Sequence, residues 1–174
     1  MQKILYAIPE LCTGCNRCVY ACAAIKEDIF QPSRSRIMVN NFPQKGYSVP
    51  SICFQCPKPE CMESCTEEAI SMDENGVVTI NYDTCTGCGA CAEACPYGMI
   101  GQDEQGIVYK CDYCGGDPAC VKECYPGALV FLDRESENGR HKQRLLKMKY
   151  RIESGSPEEK RYQIALKFLE KARQ

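Results

Sequence analysis

The sequence predicts an α+β fold in which short strands and short helices alternate around groups of cysteine residues. Two observations lead to this prediction. Cysteine is far more frequent than in an ordinary globular domain, with 16 in 174 residues. Between the cysteines, brief apolar runs flank turn sequences, and Asn75-Gly76 is a strong hairpin signal.

The elements follow in order along the chain. A first strand is predicted at 4–7 and a helix at 19–26. Three hairpins are predicted from the strand pairs 37–39 with 47–49, 69–72 with 77–80, and 99–100 with 107–109, before a closing strand at 129–132. A last helix is predicted to begin with Ser156 as N-cap, Pro157 as first helical residue and Glu159 as capping-box partner.

The cysteines fall into four quartets with none left over. The first and third are spaced C-x2-C-x2-C-x3-C, and the second and fourth widen the middle interval. The quartets are Cys12, Cys15, Cys18 and Cys22; Cys53, Cys56, Cys61 and Cys65; Cys85, Cys88, Cys91 and Cys95; and Cys111, Cys114, Cys120 and Cys124. This is the bacterial ferredoxin run, whose fourth cysteine ligates the other cluster of a pair. We therefore expect four [4Fe–4S] clusters.

Other roles for the cysteines fit the sequence less well. The N-terminus shows no secretory leader, so a reducing cytoplasm is expected, and disulfides are rare there. Zinc ribbons use C-x2-C pairs, but longer linkers separate those pairs. A mixed case stays open, in which quartet two or four holds a different centre. Rieske ligation is excluded because it needs two histidines and His141 is the only one.

The charges divide the chain into an acidic and a basic part. Residues 1–132 contain 9 Lys and Arg and 16 Asp and Glu, which gives a formal net charge of −7. Residues 133–174 contain 12 Lys and Arg and 7 Asp and Glu, which gives a formal net charge of +5. An acidic cysteine-rich part does not suit nucleic acid. Since no apolar run approaches the roughly 18 residues that a membrane span needs, no span is predicted.

Four quartets in this order resemble the four-cluster ferredoxin-like electron-transfer subunits of complex oxidoreductases, over roughly residues 1–132. The resemblance implies two interleaved bacterial-type 2[4Fe–4S] ferredoxin units. An outer unit would comprise 1–52 and 105–132, with quartets one and four. An inserted unit would comprise 53–104, with quartets two and three. Residues 133–174 would form a basic linker and a C-terminal docking helix.

The same resemblance implies which cysteines share a cluster. Quartet one pairs with four in that family, and quartet two with three. The implied ligand sets are Cys12, Cys15, Cys18 and Cys124 for cluster 1; Cys22, Cys111, Cys114 and Cys120 for cluster 2; Cys53, Cys56, Cys61 and Cys95 for cluster 3; and Cys65, Cys85, Cys88 and Cys91 for cluster 4.

The predicted function is one-electron relay to or from a separate catalytic subunit. No catalytic constellation or nucleotide fingerprint is present in the sequence, so no catalytic residue is assigned. The resemblance implies a large partner subunit with a tungsten or molybdenum pterin, of the tungsten aldehyde-oxidoreductase or benzoyl-coenzyme-A reductase type. The alternatives are a hydrogenase- or formate-dehydrogenase-linked subunit and a free polyferredoxin shuttle. Other redox subunits or a ferredoxin would be further partners.

The tail is predicted to contact the partner. Residues 133–155 read either as a solvated linker or as a basic strap on an acidic partner surface. In the last helix, an apolar stripe is formed by Tyr162, Ala165, Leu166 and Leu169, widened by Ile164 and Phe168. Since its own domain offers few spare apolar elements, we expect this stripe to dock on a partner subunit, with packing back on its own core as the alternative.

Overall fold

The computed structural model describes residues 2–137, 139–140 and 151–172. Its strands are β1 (Lys3–Ala7), β2 (Ile37–Phe42), β3 (Tyr47–Ile52), β4 (Ile70–Met72), β5 (Val78–Ile80), β6 (Gly101–Gln102), β7 (Val108–Tyr109) and β8 (Leu129–Asp133). Its helices are α1 (Arg17–Glu27), α2 (Glu60–Glu63), α3 (Ala90–Ala94), α4 (Ala119–Lys122) and α5 (Pro157–Lys171). The predicted mixture of short strands and helices is confirmed. Within the described ranges, no helix is both long and apolar enough to cross a membrane.

The strands of the described residues form four separate two-stranded antiparallel sheets. Strand β1 pairs with β8, with Leu5 opposite Phe131, so the start of the chain meets the end of the cysteine-rich part. The pairs β2–β3, β4–β5 and β6–β7 are hairpins. Because a two-stranded sheet is marginal by itself in water, each one depends on what packs against it.

The prediction of a strand at 99–100 is wrong, because strand β6 begins at Gly101. Met99 and Ile100 are buried, and the backbone N–H of Met99 donates to Sγ of Cys95 at 3.4 Å. That donor is used by sulfur and is not available to a strand ladder. The boundary between the two predicted units, at 104–105, falls in the turn between β6 and β7.

Each of the first four helices carries the third cysteine of a quartet as its second residue, namely Cys18, Cys61, Cys91 and Cys120. In α1 the fourth cysteine, Cys22, lies one turn further on inside the helix, as the spacing predicts. Helices α2, α3 and α4 are so short that the fourth cysteine of their quartet follows their last residue. Helix α1 packs against α4, and α2 packs against α3.

The buried side chains form two main groups, and each contains cysteines. One group combines quartets two and three with apolar residues, among them Ile70, Val78, Ile100, Val108 and Ile164. The other combines quartets one and four with residues such as Leu5, Val19, Ile37, Ile52 and Leu129. Cys111 packs against both groups. The cysteines therefore lie where an ordinary domain would have its apolar core.

The packing of helix α5 contradicts the prediction that its apolar stripe docks on a partner subunit. The predicted capping box is present, because Ser156 Oγ accepts from the N–H of Glu159 at 3.2 Å and the Glu159 side chain accepts from the N–H of Ser156. Ala165 and Leu169 are buried against Phe42 and Val49 of the β2–β3 hairpin. The stripe thus packs on the chain's own core, since this hairpin supplies an apolar face that its short strands did not suggest.

Two buried cations fix the start of α5 to the third quartet. Lys160 Nζ donates to the carbonyl oxygens of Glu93 at 2.8 Å and Cys95 at 3.2 Å, at the C-terminal end of α3. Arg161 donates to the carbonyl oxygen of Gly98. A cation near the last carbonyls of a helix is favourable. Of the basic linker, His141–Tyr150 lie outside the described residues, while Arg151 forms an ion pair with Glu60 at 3.0 Å.

We expect Gly98→Ala to destabilise the contact between α5 and the third quartet. Gly98 has a φ of +63°, and a Cβ there would collide with the carbonyl oxygen of Pro157. Backbone strain and this clash together should cost about 2 kcal/mol or more. Gly46→Ala is the matched control, because φ is +59° and nothing lies within 4 Å of its Cβ position.

The two variants should be compared by the urea concentration at which the brown colour of the holo-protein is lost. The Gly98 variant should bleach at clearly lower urea, whereas the Gly46 variant should lose only the cost of strain, about 1 kcal/mol. Equal midpoints for the two variants would contradict the packing of α5 on this loop.

Candidate iron–sulfur centres

All four quartets share one left-handed backbone position. The residue before the second cysteine has a positive φ in each of them, at +71° for Gly14, +49° for Gln55, +71° for Gly87 and +58° for Tyr113. Turns with a left-handed residue direct successive N–H groups into a concave site that suits anions, including iron–sulfur clusters. The wider quartets two and four therefore begin with the same local geometry as the regular ones.

Glycine and larger residues adopt the left-handed backbone at this position in different surroundings. A Cβ at Gly87 would lie 2.5 Å from the carbonyl oxygen of Gly106, so only glycine fits. Gln55 and Tyr113 have the left-handed backbone although they carry a Cβ, and both are almost fully buried. The Tyr113 ring packs edge-on against Phe131, with centroids 5.4 Å apart. Buried contacts thus hold the left-handed turn in the two wider quartets.

A first set of thiols, set A, consists of Cys12, Cys15, Cys18 and Cys124. Burial, and then the neighbouring thiolates of Cys124, Cys12 and Cys15, raise the pKa of Cys18 to about 12. Cys15 is exposed, and the backbone N–H of Arg17 lowers its pKa. The fourth cysteine of quartet four thus lies with the first three of quartet one.

A second set, set B, consists of Cys22, Cys111, Cys114 and Cys120, which line one cavity. Burial raises the pKa of Cys120, and the thiolates of the other three members add to the rise. Lys26 and Arg36 line the same cavity. Lys26 is paired with Asp112 at 2.7 Å, and Arg36 is paired with Glu27.

A third set, set C, consists of Cys53, Cys56, Cys61 and Cys95, which also line one cavity. Burial, followed by the thiolate of Cys53, raises the pKa of Cys61 to about 12. Gln55, Lys110 and Tyr97 line this cavity as well. Set C therefore takes its fourth member from quartet three.

A fourth set, set D, consists of Cys65, Cys85, Cys88 and Cys91. Burial raises the pKa of Cys91 to about 11, and the thiolates of Cys85, Cys65 and Cys88 contribute in the same direction. Cys88 is exposed, as Cys15 is in set A. All 16 cysteines predicted as ligands are thus distributed over four sets of four.

Backbone N–H groups donate to the sulfur of the fourth cysteine in three quartets. Arg36 N–H donates to Cys22 at 3.3 Å, Met99 N–H to Cys95 at 3.4 Å, and Leu129 N–H to Cys124 at 3.2 Å. Such bonds stabilise charge on sulfur and are one of the means by which a protein sets the potential of a cluster.

The donor set fits iron–sulfur clusters. Among residues 2–137, 139–140 and 151–172, no three His, Cys, Asp or Glu side chains converge as ligands of a single metal ion. In a cubane each thiolate binds a different iron, so the four sulfurs surround the cluster instead of meeting at one ion. Because buried thiols with raised pKa values are protonated at neutral pH, ligation must displace their protons.

The sets follow one another in the order A, B, C, D. Cys18 of set A and Cys22 of set B lie one turn apart in α1. Cys111 of set B packs against both main buried groups, one of which contains the cysteines of set C. Cys91 of set D lies in α3, and Cys95 of set C directly follows that helix. The exposed cysteines belong to the two end sets.

Sequence reasoning missed the polar residues between the sets. Gln55, Lys110 and Lys160 are buried and hydrogen-bonded to the backbone of the cysteine loops. One signal was available for Lys110, because a lysine follows the apolar residues Ile107-Val108-Tyr109 and directly precedes a cysteine. Another was Gln55, which occupies the position that quartets one and three fill with glycine.

Comparison with known proteins agrees with this site. A family model described as a 4Fe-4S dicluster domain matches residues 44–134, and one described as a 4Fe-4S binding domain matches residues 9–25. The polyferredoxin-like subunit of an aliphatic sulfonate oxidoreductase from Pyrococcus furiosus is 38% identical over 163 residues, which cover 91% of this chain and 88% of that protein.

Two further likenesses are weaker in coverage or in superposition. NADH-dependent phenylglyoxylate dehydrogenase subunit beta from Aromatoleum evansii is 37% identical over 129 residues, which cover 71% of this chain but 29% of that protein. The active site complex BamBC of benzoyl coenzyme A reductase contains a chain that is 26% identical. It aligns over 83% of this chain and 87% of that one, with a TM-score of 0.46.

The fold and the site define the class of protein. The chain is a ferredoxin-type iron–sulfur protein that holds four [4Fe–4S] clusters and serves electron transfer. It belongs to the 4Fe-4S dicluster domain family. The predictions of four clusters and of electron transfer are confirmed.

Proposed function

We propose that sets A, B, C and D each bind one [4Fe–4S] cluster and carry single electrons along the row between the surface at Cys15 and the surface at Cys88. The observation that carries this proposal is the crossed grouping of the thiols. In each set, three members come from one quartet and one from its partner quartet. These sets agree with the ligands that the family resemblance implies.

The proposal includes two interleaved ferredoxin units. The packing of α1 on α4, and of α2 on α3, supports an outer unit built from quartets one and four and an inserted unit built from quartets two and three. The division of the buried residues into two groups supports it as well. The β1–β8 pair would close the outer unit around the inserted one.

The residues of the chain hold and insulate the redox groups. A [4Fe–4S] cluster, when bound, gains or loses one electron without a change in its protein ligands. Burial of Cys22, Cys53, Cys95 and Cys120 keeps water from the inner sets. The backbone N–H bonds to sulfur orient the thiolates and compensate their charge.

The proposed partner is a large catalytic subunit that carries a tungsten or molybdenum pterin, in a complex located in the cytoplasm. The relative from Pyrococcus furiosus supports this, because its name makes it the polyferredoxin-like subunit of an oxidoreductase and this chain spans most of its length. The net positive charge of residues 133–174 supports contact with an acidic partner surface. Helix α5 itself packs on its own domain.

A free polyferredoxin shuttle is the second candidate. The packing of α5 on the β2–β3 hairpin favours it, because the last helix then needs no partner to cover its apolar stripe. Both candidates share the same clusters and differ only in whether the chain resides in a stable complex.

The experiment that separates the two is anaerobic purification of the tagged, full-length chain from its native cells, followed by size exclusion and metal analysis. We expect it to elute with a larger subunit and with tungsten or molybdenum in a fixed ratio to the chain. Elution as an isolated protein of about 20 kDa that still holds its iron would contradict the catalytic complex and favour the shuttle.

A further inference from the structure

Lys110 is a buried lysine at the junction between sets B and C. The residue is 5% exposed, and it lines the cavity of set C. The next residue in the chain, Cys111, lines the cavity of set B. Two consecutive residues therefore belong to two neighbouring sites. Cys111 is a proposed ligand in set B, and Lys110 is a charged residue that lines the cavity of set C.

The hydrogen bonds of Lys110 account for all three N–H groups of an ammonium. Nζ donates to Oε1 of Gln55 at 3.3 Å, to the carbonyl oxygen of Cys111 at 3.0 Å and to the carbonyl oxygen of Val78. A neutral amine has only two N–H groups to donate, so this environment suits the cation. Gln55 also donates to the carbonyl oxygen of Cys111 at 2.7 Å, which ties quartet two to quartet four.

Within the ranges that the structure describes, Lys110 forms no ion pair with a carboxylate. The cations beside set B differ, because Lys26 is paired with Asp112 and Arg36 with Glu27. A buried charge without a counter-charge is unfavourable. Four thiolates around a 2+ cubane core carry a net charge of about −2, which would supply the counter-charge at set C.

We propose that Lys110 raises the reduction potential of the cluster at set C more than that of the cluster at set B and so contributes to the driving force for electron passage between the two units. The inference rests on the proposed ligand sets. An added electron makes set C more negative, and a fixed positive charge in a buried site stabilises that state more than it stabilises the oxidised one. One electron moves between the sites, and no bond or proton changes.

The position of Lys110 differs between the two sites. Lys110 lines the cavity of set C, whereas at set B its Nζ contacts the backbone carbonyl of one proposed ligand, Cys111.

The test is an EPR-monitored redox titration of the anaerobically purified, full-length holo-protein and its Lys110→Met variant. We expect one midpoint potential to fall markedly in the variant, a second to fall less, and the other two to stay in place. A Cys56→Ser variant should move the same strongly affected midpoint, which identifies it as that of set C. Lys110→Gln, which keeps two N–H donors, replaces Lys110→Met if the latter does not hold four clusters.

Two controls separate charge from structural disturbance. Lys110→Arg keeps the positive charge and should leave the midpoints near those of the unmodified protein. Lys122→Met removes an exposed charge on α4, paired with Asp117, and should change nothing because water screens it. Unmoved midpoints in the neutral Lys110 variants, or equal shifts in Lys110→Arg, would overturn the proposal. Fewer than four clusters in the unmodified protein would instead overturn the ligand sets themselves.

Discussion

Removal of iron from the anaerobically prepared protein is expected to unfold most of the cysteine-rich part. The four sheets described above have two strands each, and helices α2, α3 and α4 have four or five residues. Elements of this size are unstable alone. Both main buried groups contain cysteines, so loss of the clusters would leave sets of thiols without the centres that they surround.

The measurement is circular dichroism and thermal unfolding before and after chelation of the iron under reducing conditions. The apo-protein should lose most of its far-ultraviolet signal and show no cooperative transition, and reconstitution with iron and sulfide should restore both. The free energy of cluster binding is then a large part of the folding free energy, on the order of 10 kcal/mol for a structural metal site. A cooperative apo transition with a native-like spectrum would contradict this expectation.

Replacing Cys124 should remove the same cluster as replacing Cys15, although the two residues belong to different quartets. Cys15 and Cys124 are both proposed ligands of set A. Cys22 belongs to the same quartet as Cys15 but is a proposed ligand of set B. Cys15→Ala and Cys124→Ala should each lose about a quarter of the iron and leave the same three midpoint potentials. Cys22→Ala is the matched control and should leave a different three.

The pattern of remaining signals decides between crossed and uncrossed ligation. If each quartet bound its own cluster, Cys22→Ala would match Cys15→Ala and Cys124→Ala would stand apart. Serine replacements, which keep a weaker oxygen ligand, give the same comparison through shifted potentials in case the alanine variants do not assemble. Agreement between the Cys15 and Cys22 variants would exclude the crossed sets.

Much of the fold followed from local signals in the sequence. The Asn75-Gly76 turn predicted the β4–β5 hairpin, and the capping box at Ser156 predicted the start of α5. The four-cysteine runs predicted the nature of the site, because their spacing reflects how one loop and one helical turn meet a cubane. These features depend on residues close in sequence, so one chain is enough to recognise them.

Features that depend on distant contacts were beyond the sequence. The burial of Ala165 and Leu169 on Phe42 and Val49 joins segments more than 100 residues apart, and no local pattern records it. The same holds for Lys110, whose partners Gln55 and Val78 come from other loops. The displaced strand β6 has a related cause, since the Met99 donor is used by the sulfur of Cys95.

The central claim is that sixteen thiolates hold four cubanes, and iron and acid-labile sulfide analysis of the anaerobically purified chain tests it most directly. We expect a brown protein with about sixteen irons and sixteen sulfides per chain, with Mössbauer spectra of [4Fe–4S] type. A colourless protein that contains zinc, or one that holds only about half of that iron after reconstitution, would contradict it.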